Sequence, residues 1–187
     1  MMKPAVIGVA VALLVGLGPG GRISAQESDV LARFDDGIGV TPILSFAPPQ
    51  NGDLTFANVS ANVVREVNPS GNPWKIDELK AVVHVDGRIT VMGRGLKIRG
   101  GNSIGQSLSL RVFATLICDL MPPFVQHSTN SDPQQLDPIQ LDENGDFRID
   151  DTLTSVPTEC ADPVLLIRTL NNTKVWIAAG LPKKLVP

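Results

Sequence analysis

Side chains able to do chemistry are scarce in this chain. Its 187 residues hold two His, two Cys, two Trp and no Tyr, against 19 acids and 16 Lys and Arg. The densest reactive grouping is Asp142-Glu143-Asn144-Gly145-Asp146 with Asp150 and Asp151, because oxygen ligands at alternate positions suit calcium. An EF-hand loop needs Gly at its sixth position and Glu at its twelfth; here Gly145 is fourth and Leu153 twelfth, so the grouping reads as a solvated acidic turn, with a weak calcium site as the alternative. No metal site and no cofactor are expected.

Carboxylate pairs can cleave glycosidic bonds when two of them flank a cleft. With so many acids some pair can always be nominated, and sugar-cleaving sites also use aromatic platforms, for which only Trp74 and Trp176 are large enough. Trp176 lies in an apolar run and reads as core; Trp74, after Pro73 at a strand start, reads as buried, with an exposed contact as the alternative. His84 and His127 have no Ser or acid at a recognisable spacing, and no Gly-x-Ser-x-Gly elbow exists. Gly93, Gly95, Gly100, Gly101 and Gly105 match no nucleotide fingerprint. Arg94, Lys97 and Arg99 form a local basic cluster that reads as charge protecting an edge strand. The net charge of −3 argues against a nucleic-acid binder.

The first 25 residues have the form of an export signal. Lys3 gives the positive start, Ala5 to Gly18 is apolar, and Ile23-Ser24-Ala25 ends in a small residue suited to cleavage. The apolar stretch is shorter than the roughly 20 residues that span a membrane, so no membrane insertion is expected once the signal is cleaved. In an oxidising compartment two thiols pair, and neither Cys has a His or second Cys at ligand spacing. Cys118 and Cys160 are therefore expected to form a disulfide.

The elements that must position these residues are strands. Period-two patterns recur between clusters of Gly, Pro, Asn and Asp, and helical periodicity is almost absent, which predicts an all-β antiparallel sandwich or, alternatively, a partly open barrel. Leu108, Leu110, Val112, Ala114, Leu116 and Cys118 make one face of a predicted central strand. Over residues 81–91 a loop Val85-Asp86-Gly87 pairs Val83 with Ile89 and Ala81 with Val91. The competing two-residue turn would mix faces, since one residue of slip flips every side chain. The same reasoning over 139–149 predicts a loop Glu143-Asn144-Gly145 pairing Leu141 with Phe147 and Ile139 with Ile149. Further strands are predicted over 54–67, 74–83, 95–99, 164–169 and 174–179. Gly93-Arg94-Gly95 reads as a bulge or a change of sheet. Residues 121–138 read as a long loop.

The chain also resembles a family of exported bacterial all-β proteins of uncharacterised function. The stretches that carry the resemblance include Phe34-Asp35-Asp36-Gly37-Ile38-Gly39-Val40, Pro73-Trp74-Lys75-Ile76, Gly87-Arg88-Ile89, Gly93-Arg94-Gly95-Leu96, Gly100-Gly101-Asn102-Ser103-Ile104-Gly105, Ala114-Thr115-Leu116-Ile117-Cys118, Asn144-Gly145-Asp146-Phe147-Arg148-Ile149 and Pro163-Val164-Leu165-Leu166-Ile167-Arg168. It covers most of residues 34–182, implies a bacterial source and an independent module, and brings no activity. A bacterial source would make the glycosylation sequons at Asn58 and Asn171 incidental.

These observations predict a signal peptide over 1–25, a flexible start over 26–33, one domain over 34–182 and a tail over 183–187. The expected role is a secreted, non-enzymatic extracellular or envelope module whose partner is an extracellular protein or polymer. The alternative is a small extracellular hydrolase using a carboxylate pair on the Met121 to Asp151 side of the domain.

Overall fold

A computed structural model describes residues 29–45 and 59–183. The expected signal peptide, residues 54–58 of a predicted strand, the sequon at Asn58 and the tail beyond Lys183 lie outside the described residues. The described chain is all-β. Its strands are β1 (Val30–Gly39), β2 (Ile43–Ser45), β3 (Val59–Ala61), β4 (Trp74–Lys75), β5 (Glu78–His84), β6 (Arg88–Arg94), β7 (Lys97–Ile98), β8 (Val112–Ile117), β9 (His127–Ser128), β10 (Phe147–Thr152), β11 (Val164–Thr169) and β12 (Trp176–Pro182). Eight of them form one antiparallel sheet in the order β10-β6-β5-β1-β12-β11-β8-β9, and two small sheets pair β2 with β3 and β4 with β7. The large sheet curls into a half-barrel, so of the two arrangements expected from the sequence the partly open barrel describes the main sheet.

Alternation explains which residues point inward. Ala32 and Phe34 of β1 pair with Val83 and Ala81 of β5, and these pair in turn with Ile89 and Val91 of β6, a continuous apolar row. The β5–β6 register is the one predicted, with Gly87 at φ +86° and its N–H donating to the His84 carbonyl (2.9 Å). Gly93–Gly95 is a change of sheet: β6 ends at Arg94, Gly95 turns at φ +66°, and β7 pairs with β4.

The second hairpin is not formed as predicted. Its turn closes, with the Asp142 N–H donating to the Asp146 carbonyl (3.1 Å), but the arms then part. Phe147 to Thr152 pair with Gly93 to Arg88, continuing the large sheet, while Leu141 donates to the Leu110 carbonyl (2.9 Å) and Val112 to the Ile139 carbonyl (2.8 Å). A six-residue ladder on β6 satisfies more backbone groups and buries Phe147 and Ile149, which outweighs the shorter local pairing.

Other boundaries move: of 54–67 only Val59–Ala61 is a described strand, 95–99 shortens to Lys97–Ile98, and 174–179 becomes Trp176–Pro182. Residues 30–33, expected as a flexible start, are the first part of β1, because Val30 and Ala32 fall on the buried row. The central strand begins only at Val112: Leu108 and Ser109 are left-handed, at φ +56° and +45°, and Leu108 is half exposed. Both faces of β8 are buried. Finally, the predicted strand over 74–83 divides at Ile76-Asp77 into β4 and β5.

The disulfide between Cys118 and Cys160 is present. It ties the end of β8 to the segment entering β11, and both cysteines pack against the core.

Candidate functional site

The sheet's outer strands, β9 and β10, are brought together by the curl. Just beyond β10 the Thr154 N–H donates to the Ser128 carbonyl (2.8 Å), and His127 Nδ1 lies 2.9 Å from Ser155 Oγ and 3.1 Å from the Ser155 carbonyl. Thr129 holds the same stretch to β8: its N–H donates to the Ala114 carbonyl (3.0 Å) while its Oγ1 accepts the Ala114 N–H (3.1 Å). At this end the seam is stitched shut.

Further along β10 the seam opens. A cleft of about 370 Å3 separates Ile149–Asp151 from Val112 and Ile139, and its polar wall is made by Thr129, Asn130, Gln135, Asp137, Asp150 and Asp151. Local hydrogen bonds shape the rim. Asn130 Oδ1 accepts the Asp132 N–H (3.1 Å), Asp132 Oδ1 accepts the Gln134 N–H (2.9 Å), and the Gln135 N–H donates to the Asp132 carbonyl (3.1 Å). Such side-chain caps are what Asn and Asp supply in turns. Leu136, also in the lining, is fully exposed.

The cleft lies on the Met121 to Asp151 side of the domain, where the carboxylate-pair alternative places its acids, and Asp137, Asp150 and Asp151 line it. Their environments differ. Asp150 stands beside Arg148, which donates to it through Nε (2.5 Å) and Nη2 (3.1 Å), and it also receives the Thr90 hydroxyl (2.9 Å). Arg148 first and Thr90 second hold its carboxyl below the usual range. Asp151 accepts the Asn130 N–H (3.2 Å) and its neighbour Thr152 N–H (2.7 Å). A general acid working near neutral pH must instead be pushed up, by burial or a like charge. The other carboxylates with shifted affinity, Asp35, Glu78 and Asp86, are also pulled down, by Lys183, Lys80 and Arg88 respectively. Chemically the cleft presents amides, a hydroxyl and hydrogen-bonded carboxylates beside an exposed Leu, an acceptor-rich surface suited to a ligand with many donors.

The acidic turn does a structural job. Asp142 Oδ1 accepts the Asp146 N–H (2.8 Å), and Asp146 Oδ1 accepts the Gly95 N–H (2.9 Å), which joins this turn to the one after β6. Among the described residues no group of three or more His, Cys, Asp or Glu is placed to hold a metal.

Both tryptophans are buried, Trp74 at 2% and Trp176 at 1% exposure, so neither offers an exposed ring to a ligand. Its indole Nε1 donates to Ser70 Oγ (3.2 Å) and that of Trp176 to the Asn62 carbonyl (3.0 Å), which lets each ring enter the core without an orphaned N–H. His84 ends β5, and its Nδ1 has no partner among the described residues. Arg94, Lys97 and Arg99 do not converge: Arg94 pairs with Glu78 (3.4 Å) and Arg99 reaches Thr41 (3.3 Å). Asn171 uses its Oδ1 to accept from the backbone N–H groups of Thr173 (3.0 Å) and Lys174 (3.1 Å) and so caps the β11–β12 turn.

Sequence reasoning did not single out Thr129, Asn130 or Gln135. Their signal was present in the Asn-x-Asp-Pro pattern of residues 130–133, which marks consecutive turns, but nothing local placed that loop against β10. Among the described residues no helix is long and apolar enough to cross a membrane. Comparisons with protein-family models, curated proteins and solved structures return no match.

Proposed function

We propose that this chain is an exported, non-enzymatic extracellular or envelope module that binds an extracellular polymer or protein in the seam cleft. The observation that supports it best is the cleft's lining: hydrogen-bond acceptors on a rim ordered by Asn130 and Asp132, with Leu136 fully exposed beside them. A donor-rich chain such as a neutral polysaccharide suits that surface, because each acceptor it covers must be given a partner. Export is supported by the leader-like first 25 residues and by the disulfide, a bond that persists in oxidising compartments.

The test is titration of the protein with a panel of soluble neutral polysaccharides by calorimetry. Binding is expected for at least one of them, weakened tenfold or more by Leu136→Asp and unchanged by Met92→Asp, an exposed apolar residue outside the cleft. Absence of binding across the panel, or equal binding by Leu136→Asp, overturns this reading of the cleft. Mass spectrometry of the protein recovered outside the producing cell is expected to give an N-terminus at Gln26.

A second reading, a hydrolase, draws on the presence of Asp137 and Asp151 in one cleft. It requires release of reducing ends from a bound polymer that is abolished by Asp151→Asn.

A further inference from the structure

We infer that Arg168 and Lys174 form an oxyanion-binding site on the outer face of β8 and β11, separate from the cleft. Arg168 lies directly across from Phe113 in the β8–β11 register, on the row that faces away from the apolar interior residues Ala114 and Ile167. Its guanidinium carbon is 5.2 Å from the centre of the Phe113 ring, and the Lys174 ammonium is 6.0 Å from the same centre. Arg168 Nε donates to the Lys174 carbonyl (2.8 Å), so the two cations are held together through the backbone of the turn.

Among the described residues every acceptor these two cations have is neutral. Arg168 Nη1 donates to Gln126 Oε1 (2.7 Å) and Thr115 Oγ1 (3.4 Å), and Lys174 Nζ to Ser131 Oγ (3.3 Å). No carboxylate of the described residues lies within ion-pair distance of either, whereas seven other Lys and Arg residues are ion-paired. Among the described residues Arg168 Nη2 makes no hydrogen bond, which leaves both its N–H donors available.

Two like charges over one aromatic ring, one of them a half-buried guanidinium, have no counter-charge among the described residues, which burial makes costly to forgo. Burial already draws the Arg168 guanidinium below its usual affinity for protons. A sulfate or phosphate group meets both needs, since its oxygens accept from Nη2 and from the ammonium at once, in short charge-assisted hydrogen bonds.

The probe is inorganic sulfate, with phosphate as a second anion, titrated against sodium chloride of matched ionic strength and read by calorimetry and melting temperature. Binding is expected at millimolar concentration or below, and to weaken at least tenfold in Lys174→Asn, which removes the cation while suiting a left-handed residue (φ +46°). Arg168→Lys keeps the charge but loses the planar fork, and a similar weakening is expected. Lys97→Gln, elsewhere on the surface, is expected to bind as the parent does. A sulfated polysaccharide bound at least tenfold more tightly than inorganic sulfate assigns the group to a polymer; equal affinity assigns it to the free ion. A response to sulfate that is absent, or that is the same in the parent and in Lys174→Asn, overturns the proposal. Lys174→Asn also loses the bond to Ser131 beside the cleft rim, whereas Arg168→Lys changes no contact with a cleft residue, so the Arg168→Lys result stands or falls apart from that of Leu136→Asp.

Discussion

Arg65 and Asp162, 97 positions apart in sequence, form a clamp that holds the Val64–Val67 bridge against the end of β8. Arg65 Nη2 pairs with the Asp162 carboxylate, while Nη1 donates to two main-chain carbonyls, those of Ile117 (2.8 Å) and Asp162 (2.7 Å). The arginine side chain is 11% exposed and the aspartate 49%, so the two halves of the contact carry unequal weight. Arg65→Ala strands two carbonyls near the core and is expected to cost roughly 2–3 kcal/mol, whereas Asp162→Asn, which keeps both carbonyl bonds, is expected to cost about 1 kcal/mol or less. Urea denaturation of both variants measures the difference, and equal losses would refute the division.

The disulfide closes a separation of 42 residues, for which the chain-entropy treatment gives roughly 4 kcal/mol. Replacing Cys118 and Cys160 together by Ala is expected to remove about that much, seen as a lower denaturation midpoint. The unreduced protein, denatured, should show no free thiol in a dithionitrobenzoate titration.

Gly145 and Gly101 share φ +79° but differ in surroundings. A methyl at Gly145 would stand 2.4 Å from the Leu96 carbonyl oxygen and 2.7 Å from its nitrogen, while one at Gly101 meets nothing within 4 Å. Gly101→Ala should therefore cost only the left-handed backbone, about 1–2 kcal/mol, and Gly145→Ala that amount plus about 1–3 kcal/mol for the clash. Similar melting temperatures for the two would contradict the docking of Gly145 on Leu96.

Acid should destabilise the fold in a defined window. Asp35, Glu78, Asp86 and Asp150 all hold their protons less tightly folded than unfolded, through Lys183, Lys80, Arg88 and Arg148. Near pH 4 the unfolded chain binds more protons than the folded one, so this contribution to stability rises with pH there. It is complete above the unfolded values of about 4 and lost below them. Melting temperature should be level from pH 8 to 5 and fall below about pH 4, with a smaller fall in high salt, since these pairs are exposed and screened.

Much of the local architecture was legible in the residues. Asp86-Gly87 between alternating apolar runs specified the β5–β6 register, and the run Val164-Leu165-Leu166-Ile167-Arg168-Thr169 coincides with β11. Asn144-Gly145 carried the same turn signal and its turn did form, yet its arms went to different partners. The difference lies in what each strand can reach: β5 and β6 are each other's nearest ladder, whereas Phe147 to Thr152 find a longer one on β6.

The candidate sites were less legible, because neither is local. The cleft joins residues 129–137 to β10, and the cationic pair combines an arginine from an apolar strand, a lysine from the following turn and the ring of Phe113 on β8. Alternation, turn chemistry and the two cysteines were enough by themselves to determine an antiparallel all-β chain closed by one disulfide, because pleat, φ preference and thiol pairing act over a few residues or through one bond. Which edges meet, and so where the seam opens, was decided only when the curled sheet brought Ser128 to Thr154, since that contact depends on the accumulated twist of eight strands.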